Sequence, residues 1–482
     1  MRPINEKGKG SAMAVSREKL PAVLRQFDIS YIGLCVPQIW IYCIAHRTDG
    51  ALGEVELGVP LYLALTLCMG AALLIARRGI SAPSVRVLAV PAAVLQGAAT
   101  VLLVAPASAL GVSAPWLFPC AAAVGGAGVA WLYLQWAPFY ASLSTKDVVA
   151  AVFIAMAVGS ALKVPLDMLP AWPAAAILAV LPALSVLLVH RAARCPVAAP
   201  TPPRLFHEEN PTAIPWGILV GVAAYSFVIG AVKAFPDAAA PVPFWLLTLV
   251  HHGVEIALAA AMLWWVLVRG RAIRFSALWR AILLFTAAAL IFLPVVGPVA
   301  EPWILLSAGI AQTLVVMLLW TMLADVAHHA AARPTVIFAS GWIAYSLPLA
   351  AGELLGWAVA GSEAASLALA AMAYLVTVVA VLALSDAAFS QRRIFADLDV
   401  PAPVPAAYAG IEVQCRALGQ ERGLTAREVE VLQMLAKGRS KSYIAENLFI
   451  SENTVRSHAK HIYQKLDVHS KQEVLDLLGL KD

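Results

Sequence analysis

The sequence predicts an all-α protein in two unequal parts: a twelve-helix transmembrane bundle built six plus six, then a small four-helix domain. Three observations carry this. Of the 482 residues, 61% are hydrophobic and only 13% charged, with a mean hydropathy of +0.80, which excludes an ordinary soluble globule. Charge is unevenly spread: about one residue in ten up to Ser385, and about one in four beyond it, so the chain passes from lipid into water. Helix-capping signals then recur at short intervals through the polar end.

Residues 1–27 form a polar, basic segment expected in the cytoplasm. Its apolar run comes too late for a cleavable signal peptide. Crossing about 30 Å of hydrocarbon takes roughly 20 mostly apolar residues, because lipid offers no partner to a stranded backbone amide. Twelve such runs lie near 29–46, 56–76, 86–105, 115–137, 147–167, 172–189, 213–233, 243–268, 277–297, 302–324, 335–360 and 365–385. Several are rich in small residues, as in Ala121 to Ala130, which lets helices approach closely where no hydrophobic effect draws them together.

The membrane domain is expected over 28–386, in halves 28–190 and 213–386 around a Pro-rich cytoplasmic loop, 191–212. With the N-terminus inside, eighteen Lys and Arg fall on the inner side against Arg47, Lys163 and Lys233 on the outer. An even number of spans returns the chain to the same side, so both termini are expected in the cytoplasm and the chain in the inner membrane. The six-plus-six layout resembles the major facilitator transporters in architecture. Its loop ARRGISAPSVR keeps the basic pair of that family's signature between the second and third helices, without the acidic partner.

A buried ionisable side chain costs about 2.5–3.5 kcal/mol on insertion scales, so each one in a span asks for a role. His251, His252 and Glu255 fall within one turn of the eighth span; Gln135, Gln312 and Glu353 lie in the fourth, tenth and eleventh. They are the candidate site for a small molecule or a proton between the halves. Lys163 with Asp167, and Lys233 with Asp237, read as neutralising pairs at helix ends. No metal site is expected, since His251, His252 and Glu255 have no fourth ligand in sequence. No cofactor is expected either, and with no nucleophile paired to a base, no enzyme. The six cysteines show no ligand spacing and read as packing residues.

A linker, 387–417, leads to the last domain, 418–482. Thr425 with Glu428 reads as a capping box, Lys437-Gly438 as a stop, Ser440 and Ser451 as caps, and Ser470 with Glu473 as a second box. These signals mark four short helices, with a tight turn, LFIS, between the second and third: the helix-turn-helix arrangement. In the third, Val455, Ala459, Ile462 and Leu466 make a core stripe. Opposite them stand Asn453, Arg456, Ser457, Lys460 and Gln464, donors without a carboxylate, suited to base edges and phosphates in a major groove.

The motifs LTxREVEVLxxLAxG, IAxxLxIS and TVRxHxxxIxxKL, over roughly sixty residues, resemble the LuxR-type helix-turn-helix of bacterial transcription regulators. The resemblance implies a DNA-binding domain whose contacts fall on Thr454, Arg456, Lys460 and Lys465, and a homodimer on DNA through Val474, Leu475 and Leu478. The expected partners are therefore double-stranded DNA, the lipid bilayer and a small-molecule inducer. The expected function is a membrane-embedded one-component transcriptional regulator, against the alternative of a secondary transporter with a regulatory DNA-binding tail.

Overall fold

The computed structural model describes residues 21–46, 54–78, 89–104, 116–194, 216–233, 242–268, 275–292, 301–330, 332–359, 362, 365–382, 415, 418–419, 421–436, 441–448, 450–468, 470, 473–474 and 477. Most of the basic N-terminal segment, the loop after Arg194, the linker up to residue 414, the Lys437-Gly438 stop and the Ser440 cap lie outside them. The chain divides into two compact units, Met1–Asp399 and Val400–Asp482.

Among the described residues of the first unit, twelve helices fall on the twelve apolar runs. They are α1 Cys35–His46, α2 Glu54–Arg77, α3 Ala89–Val104, α4 Leu117–Ala141, α5 Thr145–Met168, α6 Ala171–Arg194, α7 Trp216–Lys233, α8 Phe244–Leu263, α9 Phe275–Phe292, α10 Glu301–His328, α11 Pro334–Val359 and α12 Ala365–Leu382. Seven are long and apolar enough to cross a membrane; the other five apolar helices are shorter. The first run does not fold as one helix: Asp28 caps a 3-10 turn, Ile29–Ile32, by accepting from Ser30 N, and α1 starts only at Cys35. The Arg191 guanidinium grips the same carboxylate at 2.7 Å and holds it well below the usual carboxylate range.

The pairing of helices repeats between the halves. α2 packs on α11 as α8 packs on α5; α3 lies on α6 as α9 lies on α12; α1 lies on α5 as α7 lies on α11. Advancing each number by six carries one half's contacts onto the other's, so the bundle has an internal pseudo-two-fold and the halves meet along two seams, α2–α11 and α5–α8. The small residues act where backbones touch. A Cβ at Gly352 would fall on the Phe227 carbonyl, and one at Gly230 on that of Leu349, so α7 and α11 cross at backbone distance because each is a glycine there.

One apolar core runs through both halves, while Leu67, Trp357 and Leu367 stand more than half exposed on the outer surface, as a lipid-facing side requires. Two of the buried tryptophans find partners across helices: Trp40 Nε1 donates to Thr100 at 2.7 Å and Trp136 Nε1 to Ser185 at 3.1 Å.

The second unit has its own core, in which Val431, Leu432, Leu435, Ile444, Val455, Ala459, Ile462 and Leu466 join Cys415 and Val474. Its helices are α13 Ala426–Ala436, α14 Lys441–Leu448 and α15 Glu452–Leu466. The first box closes both ways, Thr425 N donating to Glu428 at 2.8 Å and Glu428 N to the Thr425 hydroxyl at 3.3 Å. Ahead of it Gly423 sits at φ +66°, a left-handed turn that glycine takes without strain. Ser451 caps α15 through Thr454 N at 3.1 Å. Asp467, left-handed at φ 56°, ends it, with Val468 N reaching back to Tyr463 O at 3.0 Å. For the fourth helix, the Ser470–Glu473 box is formed, and most of the chain beyond Glu473 lies outside the described residues.

Candidate functional site

In the bundle the structure gathers part of the predicted polar set. Glu255 is buried where α8 meets α5, and its carboxylate accepts from Ser160 Oγ at 2.6 Å, His252 Nδ1 at 2.8 Å and His251 Nε2 at 3.1 Å. Three donors satisfy a carboxylate that is wholly buried, which is how the fold offsets its desolvation. α1 closes the third side: the Tyr42 ring stands 4.7 Å from the His252 ring, and its hydroxyl donates to Asp167 at 3.1 Å. Lys163 is buried, with its ammonium 4.7 Å over the Tyr42 ring, a cation–π placement. Ser160, Lys163 and Asp167 fall on one stripe of α5, so Lys163 and the half-buried Asp167, expected as a neutralising pair at a helix end, both also meet Tyr42 at the edge of the knot.

Where α5 ends and α8 begins, Asp167, Met168, Phe244, Trp245 and Thr248 line a cleft of about 360 Å³, within the range of small-ligand sites. Thr248 lies one turn before His252 on the buried stripe of α8, so the cleft opens above the knot.

The other candidates lie elsewhere. Glu353 is buried on the second seam, its carboxylate filling the space a Cβ of Gly58 on α2 would need. On the same seam Thr66 and Ser346 share a hydrogen bond of 2.7 Å. Gln312 donates to the Tyr345 hydroxyl at 2.8 Å within the second half, and Gln135 is half-buried on α4. A further tie between the halves has no counterpart among the sequence candidates: Thr145 donates to Asp325 at 2.5 Å and His328 Nδ1 contacts the Ala141 carbonyl at 2.9 Å. Asp325 and the histidines end the tenth run, where the sequence shows only an apolar stretch tailing off.

In the second unit α15 buries Val455, Ala459, Ile462 and Leu466 and exposes Asn453, Arg456, Ser457, Lys460 and Gln464, the amphipathic division its period prescribes. Glu452 approaches Arg456 at 3.8 Å, an exposed i,i+4 pair. Thr454 is half-buried, its hydroxyl 2.7 Å from that of Ser451. Lys465 is engaged within the domain: its ammonium donates to Glu428 at 2.8 Å and to the Gly423 carbonyl at 3.1 Å. Lys465 and Thr425 hold the Glu428 carboxyl down at about 2. Arg427 likewise braces α13 against the Leu448 carbonyl. Val474, expected at a dimer contact, packs inside the domain's own core; Leu475 and Leu478 lie outside the described residues.

A sequence model of the family described as bacterial regulatory proteins, luxR family, matches residues 422–478. These residues are a LuxR-type helix-turn-helix domain. The chain is 47% identical over 55 residues to the oxygen regulatory protein NreC of Staphylococcus carnosus (strain TM300), covering 11% of this chain and 25% of that protein. It is also 47% identical over 53 residues to NreC of Staphylococcus haemolyticus (strain JCSC1435), covering 11% and 24%. The chain thus spans about a quarter of the length of these curated relatives. Among solved structures, the human organic anion transporter MFSD10 (TETRAN) aligns at a TM-score of 0.46 and 12% identity, covering 77% of this chain and 99% of that one.

Proposed function

We propose that the chain is a one-component transcriptional regulator of the inner membrane: the helical bundle senses a small molecule and the LuxR-type domain binds promoter DNA, as a homodimer, on the cytoplasmic side. The observation that carries this is a LuxR-type domain joined to a bundle whose α5–α8 seam holds a buried polar knot under an open cleft. An inducer entering the cleft and engaging the knot would favour one arrangement of the halves. A preference of a few kcal/mol is enough to change promoter occupancy many-fold.

On the DNA side, Asn453, Arg456, Ser457, Lys460 and Gln464 are the base-reading and backbone-reading groups, with Thr454 at the α15 N-terminus beside a phosphate. Lys465 spends two of its three donors inside the domain, so its first role is to hold α15 in place, with at most one hydrogen left for a phosphate.

The test has two arms. Arg456→Ala with Lys460→Ala should weaken promoter binding by about 100-fold or more in gel shift, leaving the fold and the membrane content unchanged. Glu255→Gln should abolish the inducer response of a promoter reporter while basal promoter binding persists. If the double variant bound DNA like the wild type, the recognition face would be wrong. A transporter with a regulatory tail is favoured by the charges buried on both seams, Glu255, Lys163 and Glu353. Uptake into vesicles that Glu255→Gln removes would select that reading.

A further inference from the structure

The side chains that meet at Glu255 are metal ligands by type, and the atoms that face one another are their ligating atoms. A ring nitrogen from each of His251 and His252 and a carboxylate oxygen of Glu255 all lie within 4.8 Å of one another, with N···O separations of 3.1 and 2.8 Å. Tetrahedral zinc with bonds of about 2.0–2.1 Å sets neighbouring ligand atoms roughly 3.3 Å apart. The two short separations end on different oxygens of the carboxylate and the wider ones run up to 4.8 Å, so a cation would draw the two rings and one oxygen together toward that spacing. In the hydrogen-bonded form the protons between nitrogen and oxygen occupy the space that a cation would take.

The sequence offers no fourth ligand, but the fold brings one. Ser160 Oγ, from α5 across the seam, stands 2.6 Å from the carboxylate, which leaves the fourth position of a tetrahedron to it or to a water or inducer atom. Two further observations point the same way. His252 is wholly buried and its second ring nitrogen, Nε2, has no hydrogen-bond partner, so the fold does not fix which ring nitrogen carries the proton and Nδ1 can turn its lone pair to a cation. The carboxylates of Glu255 and Asp167 outnumber the single ammonium of Lys163, which sits over Tyr42, so the knot is net negative when its imidazoles are neutral. The nitrogen ligands exclude Ca2+ and Mg2+ as preferred occupants and suit a borderline cation.

We infer that the α5–α8 knot binds a divalent cation of the Zn2+ class through His251, His252 and Glu255, reached through the cleft between Asp167 and Thr248. For what the cation does, this rests on the seam being the input site; its binding is measured apart from that. A bound ion would replace the three-donor knot with a bridge that the inducer completes or displaces.

The experiment uses the full-length protein in detergent, stripped with chelator, then loaded with Zn2+ or Co2+ and desalted. The expected result is one equivalent of zinc per chain by elemental analysis and the visible absorption of tetrahedral Co2+. His252→Ala and Glu255→Gln should each weaken binding by about tenfold or more. Ser160→Ala, which spares the three ligands, should change the Co2+ spectrum with a smaller loss, and His328→Ala, remote on α10, should change nothing. Zinc absent from the stripped and reloaded wild type, or retained equally by His252→Ala and Glu255→Gln, overturns the inference. Promoter binding is read on the same preparations: intact DNA binding without metal defeats the metal site alone, and metal without DNA binding defeats the proposed function alone.

Discussion

At the residue scale, Glu428 shows how a single side chain does two things that sequence reads as one. Its spacing from Thr425 announces a capping box, and the box is formed. What spacing cannot announce is that the same oxygen takes Lys465, 37 residues later, because that contact exists only once α15 has packed across α13. The folded carboxyl titrates at about 2 against an ordinary value of 4.5, so the pair stabilises the domain above pH 4.5. That contribution is lost as the pH falls from about 4.5 to 2. Lys465 is about a third exposed, and solvent screening limits the contribution to about 1–2 kcal/mol. Glu428→Gln should therefore lower the melting temperature of the second unit by roughly 5–10 °C at pH 7 and flatten the acid limb of its stability curve. Equal melting temperatures for variant and wild type at pH 7 would show that Lys465 is not held there, returning it to the DNA backbone.

At the element scale, the two units differ in how much of each helix can be read. α15 lies between water and a small core, so its apolar stripe of Val455, Ala459, Ile462 and Leu466 stands out by period, and the structure buries those four. A bundle helix lies between lipid and protein, and both sides want apolar residues, so period says little about which face turns inward. That is why Ser160, Tyr42 and Asp325 give no sign of themselves in sequence, and why Lys163 reads there as a helix-end charge. The small residues are legible as a composition, but only the crossing of α7 and α11 shows which ones count. Gly352→Val, which would place a branched side chain on the Phe227 carbonyl, should abolish a monodisperse peak in detergent size-exclusion chromatography. Gly70→Val, where a Cβ meets nothing within 4 Å, should be tolerated.

At the scale of the whole molecule, the proposed function depends on which side of the membrane holds the LuxR-type domain. The expected twelve spans, with eighteen basic residues on the inner side against three on the outer, would place it in the cytoplasm. A fusion after Asp482 should therefore give a fluorescent cytoplasmic reporter and an inactive periplasmic phosphatase. The reverse pattern would remove the domain from the chromosome and end the regulatory reading. The pseudo-two-fold also suits a sensor, since two similar halves meeting at two seams can rock between arrangements of nearly equal energy. The ties at Glu255 and at Asp325 then bias that choice from different levels of α5.

By itself the sequence determined the class of each part: lipid-soluble helices from hydropathy, and a LuxR-type helix-turn-helix from its caps, stripe and motifs. These are local properties, set by the solvent and the backbone within a turn or two. Tertiary structure alone decided that Ser160 and Tyr42 converge on the histidines and Glu255, that Lys465 locks onto Glu428, and that Val474 belongs to the core. Each joins residues far apart in the chain, and in an apolar helix no local signal says which neighbour a face will meet.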